Sequence, residues 1–258
     1  MKVCVLVKSV IDKDSRFEIK EGLVHFDSYS DRTTNESDNY ALEEALLIKE
    51  SSDQDVEVVV ACLGSEDSSQ SIKDCLSKGA DRAIHILDEK FNSLDALSIS
   101  KVLKNALEEE KFDIILSGLQ SDDIGNGQIG ILLSEHLNMS HASLAMETEL
   151  NGAEKIRVKR ELEAGWFQWT TLSLPASITI QSGINKPRYA SLRGIMMMKK
   201  KPIKVLSSSD IGIELNQATS LLEQSIPKKE KETKFFDGEA DSFMDDLINS
   251  MANDLKVI

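Results

Sequence analysis

The chain has 258 residues, 41% of them hydrophobic, and 44 acidic against 30 basic side chains give it a net charge of −14 with histidine neutral. That apolar content supports a sizeable buried core and excludes a disordered chain. The acidic balance argues against a protein that works by neutralising nucleic-acid phosphate, although a local basic patch is present.

Val3-Cys4-Val5-Leu6-Val7 is a continuous β-rich run without alternation, as expected of a strand covered by helices on both faces. Residues 39–50 place Tyr40, Leu42, Ala45, Leu46 and Ile48 on one helical stripe, and Val56–Leu63 reads as a second buried strand ending at Gly64. Ser68–Lys78 repeats the helical period with Ile72, Cys75 and Leu76 until Gly79 stops it. Ala83–Leu87 reads as a third strand, Ser93–Glu110 as a longer helix, Asp113–Ser117 as a fourth strand and Ile129–Leu137 as another helix. The alternation predicts an α/β fold with a doubly wound, mostly parallel sheet. Ligands bind such a sheet beyond the carboxyl ends of its strands. Those ends are Val7-Lys8-Ser9, Leu63-Gly64-Ser65 and Ser117-Gly118-Leu119-Gln120, which share a crevice if the strands are neighbours.

After residue 141 the pattern changes: Leu144–Leu150, Lys155–Glu161 and Trp166–Leu172 are short alternating runs joined by turn residues, and read as antiparallel strands. Ala176–Gln181 is a further strand. From Ile184 to Leu206 the chain carries Lys186, Arg188, Arg193, Lys199, Lys200, Lys201 and Lys204 without one acid, a pattern that suits docking of an acidic partner. Residues 1–206 then form the α/β domain, 207–236 an extended arm, and 241–255 a helix whose Phe243, Leu247, Met251 and Leu255 make a stripe suited to a partner subunit.

The segment Gly118–Gly130 is the richest in chemistry: its glycines let backbone N–H groups converge, and the helix that begins near Gln128 offers a positive end to an anion such as a phosphate. An ordinary loop into a helix is the alternative. Asn35-Glu36-Ser37-Asp38 precedes the first helix, where Ser37, Asp38 or Asn39 could be its N-cap. His25, His85, His136 and His141 are scattered without metal spacing, and no serine or cysteine sits in a nucleophile elbow, so catalytic groups are not expected. Glu43-Glu44 and Glu108-Glu109-Glu110 read as solvated helix faces. Cys4, Cys62 and Cys75 form no C-x-x-C pair and read as small buried hydrophobes of a reduced chain. With no apolar run near the ~18 residues of a membrane span, and no secretory h-region, a soluble cytoplasmic protein without membrane insertion is expected.

Asn185-Lys186-Pro187-Arg188-Tyr189-Ala190-Ser191-Leu192-Arg193-Gly194-Ile195-Met196, with the lysines and Pro202-Ile203 that follow, resembles the signature of the β subunit of electron-transfer flavoproteins. Val158–Gly165, Leu174-Pro175-Ala176 and Lys78–Ala83 resemble other parts of the family's pattern, and Ile184–Ile195 with Glu50–Val60 look most like the methylotroph members that partner trimethylamine dehydrogenase. The resemblance implies an adenine-nucleotide α-hydrolase-like sheet and a heterodimer whose α subunit holds most of the FAD. This chain would bury an AMP at Leu6, Asn35, Glu36, Ser37, Asp38, Leu63, Gly118, Gln120, Ser121, Asp122, Asp123, Gly125, Asn126, Gly127, Gln128 and Ile129. Bifurcating members hold a second FAD there, but Ile124-Gly125-Asn126 and Ile131 depart from their pattern and favour AMP. The resemblance further implies a dehydrogenase-recognition loop of Pro187, Arg188, Tyr189, Leu192, Arg193, Ile195, Met196, Lys199 and Lys200, with Leu192 as the apolar anchor. The donor would be a flavoprotein dehydrogenase, of the trimethylamine or acyl-CoA type, and the acceptor a quinone-reducing protein of the respiratory chain. The alternative reading is a stand-alone adenine-nucleotide-binding α/β protein of the stress-sensor kind, without a redox role.

Overall fold

A computed structural model describes residues 1–27, 30–213, 217–228, 233–236 and 240–257. The expected arm over 207–236 lies partly outside these residues, at 214–216 and 229–232. The chain divides into two units, Met1–Leu222 and Glu223–Ile258.

In chain order the first unit contains β1 (Lys2–Val7), β2 (Ser9–Ile11), β3 (Phe17–Lys20), β4 (Leu23–Phe26), β5 (Arg32–Thr34), α1 (Glu36–Ser51), β6 (Glu57–Gly64), α2 (Ser69–Lys78) and β7 (Arg82–Leu87). It continues with α3 (Ala96–Leu107), β8 (Ile114–Gly118), α4 (Ile129–His136), β9 (Ser140–Asn151), β10 (Lys155–Glu161), β11 (Phe167–Ser173), β12 (Ala176–Ile180), α5 (Leu192–Met198), β13 (Ile203–Leu206) and α6 (Ser208–Ile211). Nine strands form one sheet in the order β11-β10-β9-β12-β8-β1-β6-β7-β13. From β9 to β13 every pairing is parallel, and only β10 and β11 add antiparallel pairing at one edge.

The two-residue period of β1 sorts its side chains onto the two faces of the sheet. Val3, Val5 and Val7 pack with Ala41, Leu42, Ala45 and Leu46 of α1 and with Ile72, Cys75 and Leu76 of α2. Cys4 and Leu6 pack on the other face with Val102, Leu103 and Leu107 of α3 and with Leu133 of α4. The chain runs from β1 outward to β6 and β7, then crosses to β8 on the opposite side of β1. The strand order therefore reverses beside β1, and a crevice opens at the carboxyl ends of β8, β1 and β6.

Several elements depart from the expectations. Residues 9–34 hold two short antiparallel pairs, β2 with β5 and β3 with β4, too brief for a sequence period to register. The strand expected at 144–150 runs from Ser140 and pairs in parallel with β12 before turning antiparallel with β10. Within the basic stretch lie a helix, α5, and an edge strand, β13, paired with β7. Asn35, and not Ser37, Asp38 or Asn39, is the N-cap of α1. Residues 207–213 begin with the one-turn helix α6, which buries Ile211 against the second core.

Glu43 and Glu44 are buried, contrary to the solvated face expected of them. Glu43 is held by Arg188, while Glu44 accepts from the Thr148 hydroxyl at 2.6 Å and the Asn185 amide at 3.0 Å. Glu110 is likewise drawn inward by the Arg82 guanidinium, 2.7 Å away, whose second partner is Glu57. The three cysteines are buried and free, and burial pushes their thiols up.

In the second unit α7 (Ala240–Asn249) continues into a π-helical turn, Ser250–Asp254. Phe243, Leu247 and Met251 of the expected stripe are half-buried and Leu255 is exposed. Lys234 closes this unit on itself, with its Nζ 3.3 Å from both Ser250 Oγ and Asp254 Oδ2.

Candidate functional site

A cavity of about 440 Å³ occupies the crevice, within the range of small-molecule sites. Leu6, Val7 and Lys8 line it at the end of β1, Ala61 and Leu63 at the end of β6, and Ser117 through Ser121 at the end of β8. Asn126 through Gly130 bring in the start of α4, while Leu94, Ile99 and Leu103 supply an apolar wall.

The segment from Asn35 to Asp38 builds this cavity chiefly by clamping its walls. Asn35 donates from Nδ2 to the Gln120 carbonyl at 3.0 Å and accepts the Asp122 N–H at 2.8 Å. The Ser37 hydroxyl donates to the same Gln120 carbonyl at 2.7 Å. Asp122 answers by accepting the Glu36 N–H at 2.9 Å, so the loop caps the helix that holds it. Asp38 joins two strand ends, taking the N–H of Lys8 and of Gly118 on its two carboxylate oxygens. Burial pushes the Asp38 carboxyl up to about 7, against the pull of these donors.

Two glycines are dictated by close approach. A Cβ on Gly118 would fall on Ser37 Oγ and within 2.5 Å of Asp38 Oδ1. A Cβ on Gly130 would come within 2.6 Å of Ser117 Oγ and 2.8 Å of Thr179 Cγ2, so α4 can start directly against the strand ends. Its free N–H groups and partial positive charge then face the crevice. Gly125 and Gly127 adopt φ of 68° and 63°, the left-handed conformation that lets the loop turn. Lys8 reaches across it, with Nζ 2.6 Å from Asp123 Oδ1 and 3.3 Å from Ser121 Oγ. Against partial desolvation, the contacts with Lys8 and the Ser121 hydroxyl, with the Ile124 N–H, hold the Asp123 carboxyl below its ordinary value.

Of the residues expected to bind nucleotide, Leu6, Asn35, Asp38, Leu63, Gly118, Gln120, Ser121, Asn126, Gly127, Gln128 and Ile129 line the cavity. Ser37 and Asp122 lie outside the lining as parts of the clamp just described, to which Glu36 gives its N–H, while Asp123 pairs with Lys8 on the loop. Gly125 lies in the loop, its N–H on the Ser121 carbonyl at 2.9 Å. Ser117, at the strand end expected to face the crevice, also lines it, whereas sequence reasoning missed the wall of Leu94, Asp95, Ala96, Ile99 and Leu103, as well as Thr219. The i, i+4 spacing of Ile99 and Leu103 was a visible signal, but it reads equally as core packing. Asp95 is the N-cap of α3 through the Ser98 N–H, and it also takes the N–H groups of Ala218 and Thr219 at 2.6 and 2.9 Å. A segment far along the chain is thereby tied over the cavity.

The expected recognition loop divides in two. Tyr189, Leu192 and Met196 are 93%, 83% and 72% exposed, and Arg193, Ile195, Lys199 and Lys200 are also exposed. Pro187 and Arg188 are half-buried, and Arg188 turns back onto α1. Gly194 lies so close to the Ser77 carbonyl that no Cβ fits, and Lys201 Nζ donates to the Leu76 and Ala80 carbonyls at 2.9 and 2.6 Å, capping the end of α2. Ordinary core packing does not explain Leu192.

Among the described residues no group of three or more His, Cys, Asp or Glu side chains could hold a metal, and no helix is long and apolar enough to cross a membrane.

Residues 23–211 match the model of the electron transfer flavoprotein domain. The chain is 39% identical over 241 residues to the electron transfer flavoprotein subunit beta of Methylophilus methylotrophus, covering 90% of this chain and 91% of that protein. It is 31% identical over 262 residues to the Bacillus subtilis subunit beta, covering both chains fully, and 32% identical over 237 residues to that of Bos taurus, covering 88% and 89%. A doubly wound sheet with its crevice beside β1, together with relatives of this identity and coverage, establishes that the chain belongs to the electron transfer flavoprotein β-subunit family.

Proposed function

We propose that this chain is the β subunit of a heterodimeric electron-transfer flavoprotein, that it binds AMP in the crevice as a structural nucleotide, and that it shapes part of a flavin site whose FAD is held mostly by the α subunit. The observation that carries the reading is the cavity itself: an apolar slot on one side, and on the other a glycine-bearing loop leading to the N-terminus of α4. Ser117 Oγ is buried in the cavity wall and has no hydrogen-bond partner among the described residues, as a group awaiting a ligand would be. Leu6, Leu63, Leu94, Ile99 and Leu103 would enclose a flat base, while the N–H groups at Gly127–Gly130 would receive a phosphate.

The bound flavin supplies the redox chemistry by taking up electrons and giving them up again. The residues of this chain bind, orient and dock. Tyr189, Leu192 and Met196 offer an apolar contact to a flavoprotein dehydrogenase, of the trimethylamine or acyl-CoA type, and exposed Lys199 and Lys200 raise the encounter rate. Electrons then pass to a quinone-reducing acceptor of the respiratory chain. Co-expression with the α subunit tests this reading. A yellow heterodimer, reduced by such a dehydrogenase and losing that reduction when Leu192 becomes Ala, is the expected result; a chain that stays alone and colourless would contradict it.

A further inference from the structure

We infer that Arg188 is a positioning residue: its guanidinium, seated on Glu43 and Glu50 of α1, fixes the base from which Tyr189, Leu192 and Met196 project. This rests on the docking reading above and assigns Arg188 a role other than contact with the dehydrogenase.

The geometry separates the two roles. Arg188 donates from Nε to both Glu43 oxygens at 3.1 and 2.8 Å, from Nη2 to Glu43 and Glu50 at 2.9 and 3.0 Å, and from Nη1 to Glu50, while its own backbone N–H goes to Glu43 at 3.0 Å. The fork is committed within the chain and has little to give a partner. Glu43 is 5% exposed, so this is a carboxylate buried for the arginine it receives. The neighbouring Asn185 repeats the arrangement, donating to the Tyr40 carbonyl and to Glu44, both at 3.0 Å. One face of α1 thus anchors residues 185–188, and Gly194 with Lys201 anchors the other end of the segment on α2. Between the anchors Tyr189, Leu192, Arg193 and Met196 face outward, and Ser191 starts α5 by accepting the Gly194 N–H at 3.0 Å. An apolar contact presented from a fixed base binds without the entropic cost of ordering a free loop.

The test uses the intact heterodimer in wild-type form and as Arg188→Gln, Arg188→Lys, Glu50→Gln and Leu192→Ala. The probes are reduced trimethylamine dehydrogenase and a reduced acyl-CoA dehydrogenase, with KM and limiting rate taken for whichever reduces the wild type. Melting temperature and amide hydrogen exchange at 189–198 are read alongside. The expected result for Arg188→Gln is a KM raised roughly tenfold with faster exchange at 189–198. Arg188→Lys recovers only part of this, because one ammonium cannot grip two carboxylates. If Arg188→Gln lowers the melting temperature, Glu50→Gln decides, since Glu50 lies at the exposed rim and its loss leaves no buried charge unpaired; the same change in smaller measure is expected. Wild-type KM and exchange in both Arg188→Gln and Glu50→Gln, with KM raised by Leu192→Ala, would overturn the positioning role. An inert Leu192→Ala, or no reduction of the wild type by either enzyme, would instead sink the docking reading, and the exchange data would still judge the clamp.

Discussion

The Gly118 N–H donates to Asp38 Oδ1 at 2.9 Å, joining residues 80 apart in the chain at the floor of the cavity. The contact is close enough that Gly118 accepts no side chain. Gly118→Ala is expected to cost about 2 kcal/mol through overpacking against Ser37 and Asp38, and to lower nucleotide retention together with stability. Denaturant unfolding and the nucleotide content of the purified heterodimer check this; a stable, fully loaded variant would mean that the strand ends and the α1 turn are not locked together.

Asp38 also predicts a pH dependence. Its carboxyl is raised by burial to about 7 from the ordinary value near 3.8, so between those limits the folded state binds a proton that the unfolded chain has released. Stability from this group is complete below about pH 4 and is lost as pH rises towards 7. Asp38→Asn removes the titration. The stability of the wild type relative to Asp38→Asn is therefore expected to fall from pH 4.5 to 7.5 in urea unfolding, and a constant difference would contradict the assignment.

Three adjacent lysines separate by role. Lys199 and Lys200 are exposed, whereas Lys201 caps α2. Charge reversal at Lys199 and Lys200 together is expected to slow electron transfer at low salt with stability within about 0.5 kcal/mol of wild type. Lys201→Glu is expected to destabilise by about 1–3 kcal/mol, since the Leu76 carbonyl at the end of α2 and the Ala80 carbonyl just beyond it lose their donor. Stopped-flow rates across ionic strength, paired with thermal melts, discriminate the two.

Asp95 ties the Ala218 and Thr219 amides over the cavity, and Ser98 first, then these two amides, hold its carboxyl down at about 2. Asp95→Ala is expected to speed hydrogen exchange at 217–222 and to hasten nucleotide release from the heterodimer. Exchange at the wild-type rate would show that the carboxylate does not hold that segment.

The parts of the fold legible in the sequence were those written in a local period. Val3–Val7, Val58–Cys62 and Ile114–Leu116 carry continuous apolar runs because both of their faces are covered, and these strands place the crevice. The glycines of 118–130 marked the loop because close approach and positive φ demand them. What was hidden depends on distant partners. Nothing local distinguishes Glu43, buried beneath Arg188, from a solvated helix glutamate, since the two lie 145 residues apart. Likewise Thr219 reaches the cavity through Asp95, and β13 becomes a strand only because β7 offers it an edge. Residues 9–34 form strands too short for any period.

One nucleotide in this chain and one flavin in the heterodimer are the central expectations. Mass spectrometry of the nucleotides released by denaturing the native, co-purified complex, with protein stoichiometry measured in the same sample, tests both at once. The predicted result is one AMP and one FAD per heterodimer; two FAD and no AMP, or a chain isolated without either, would contradict it.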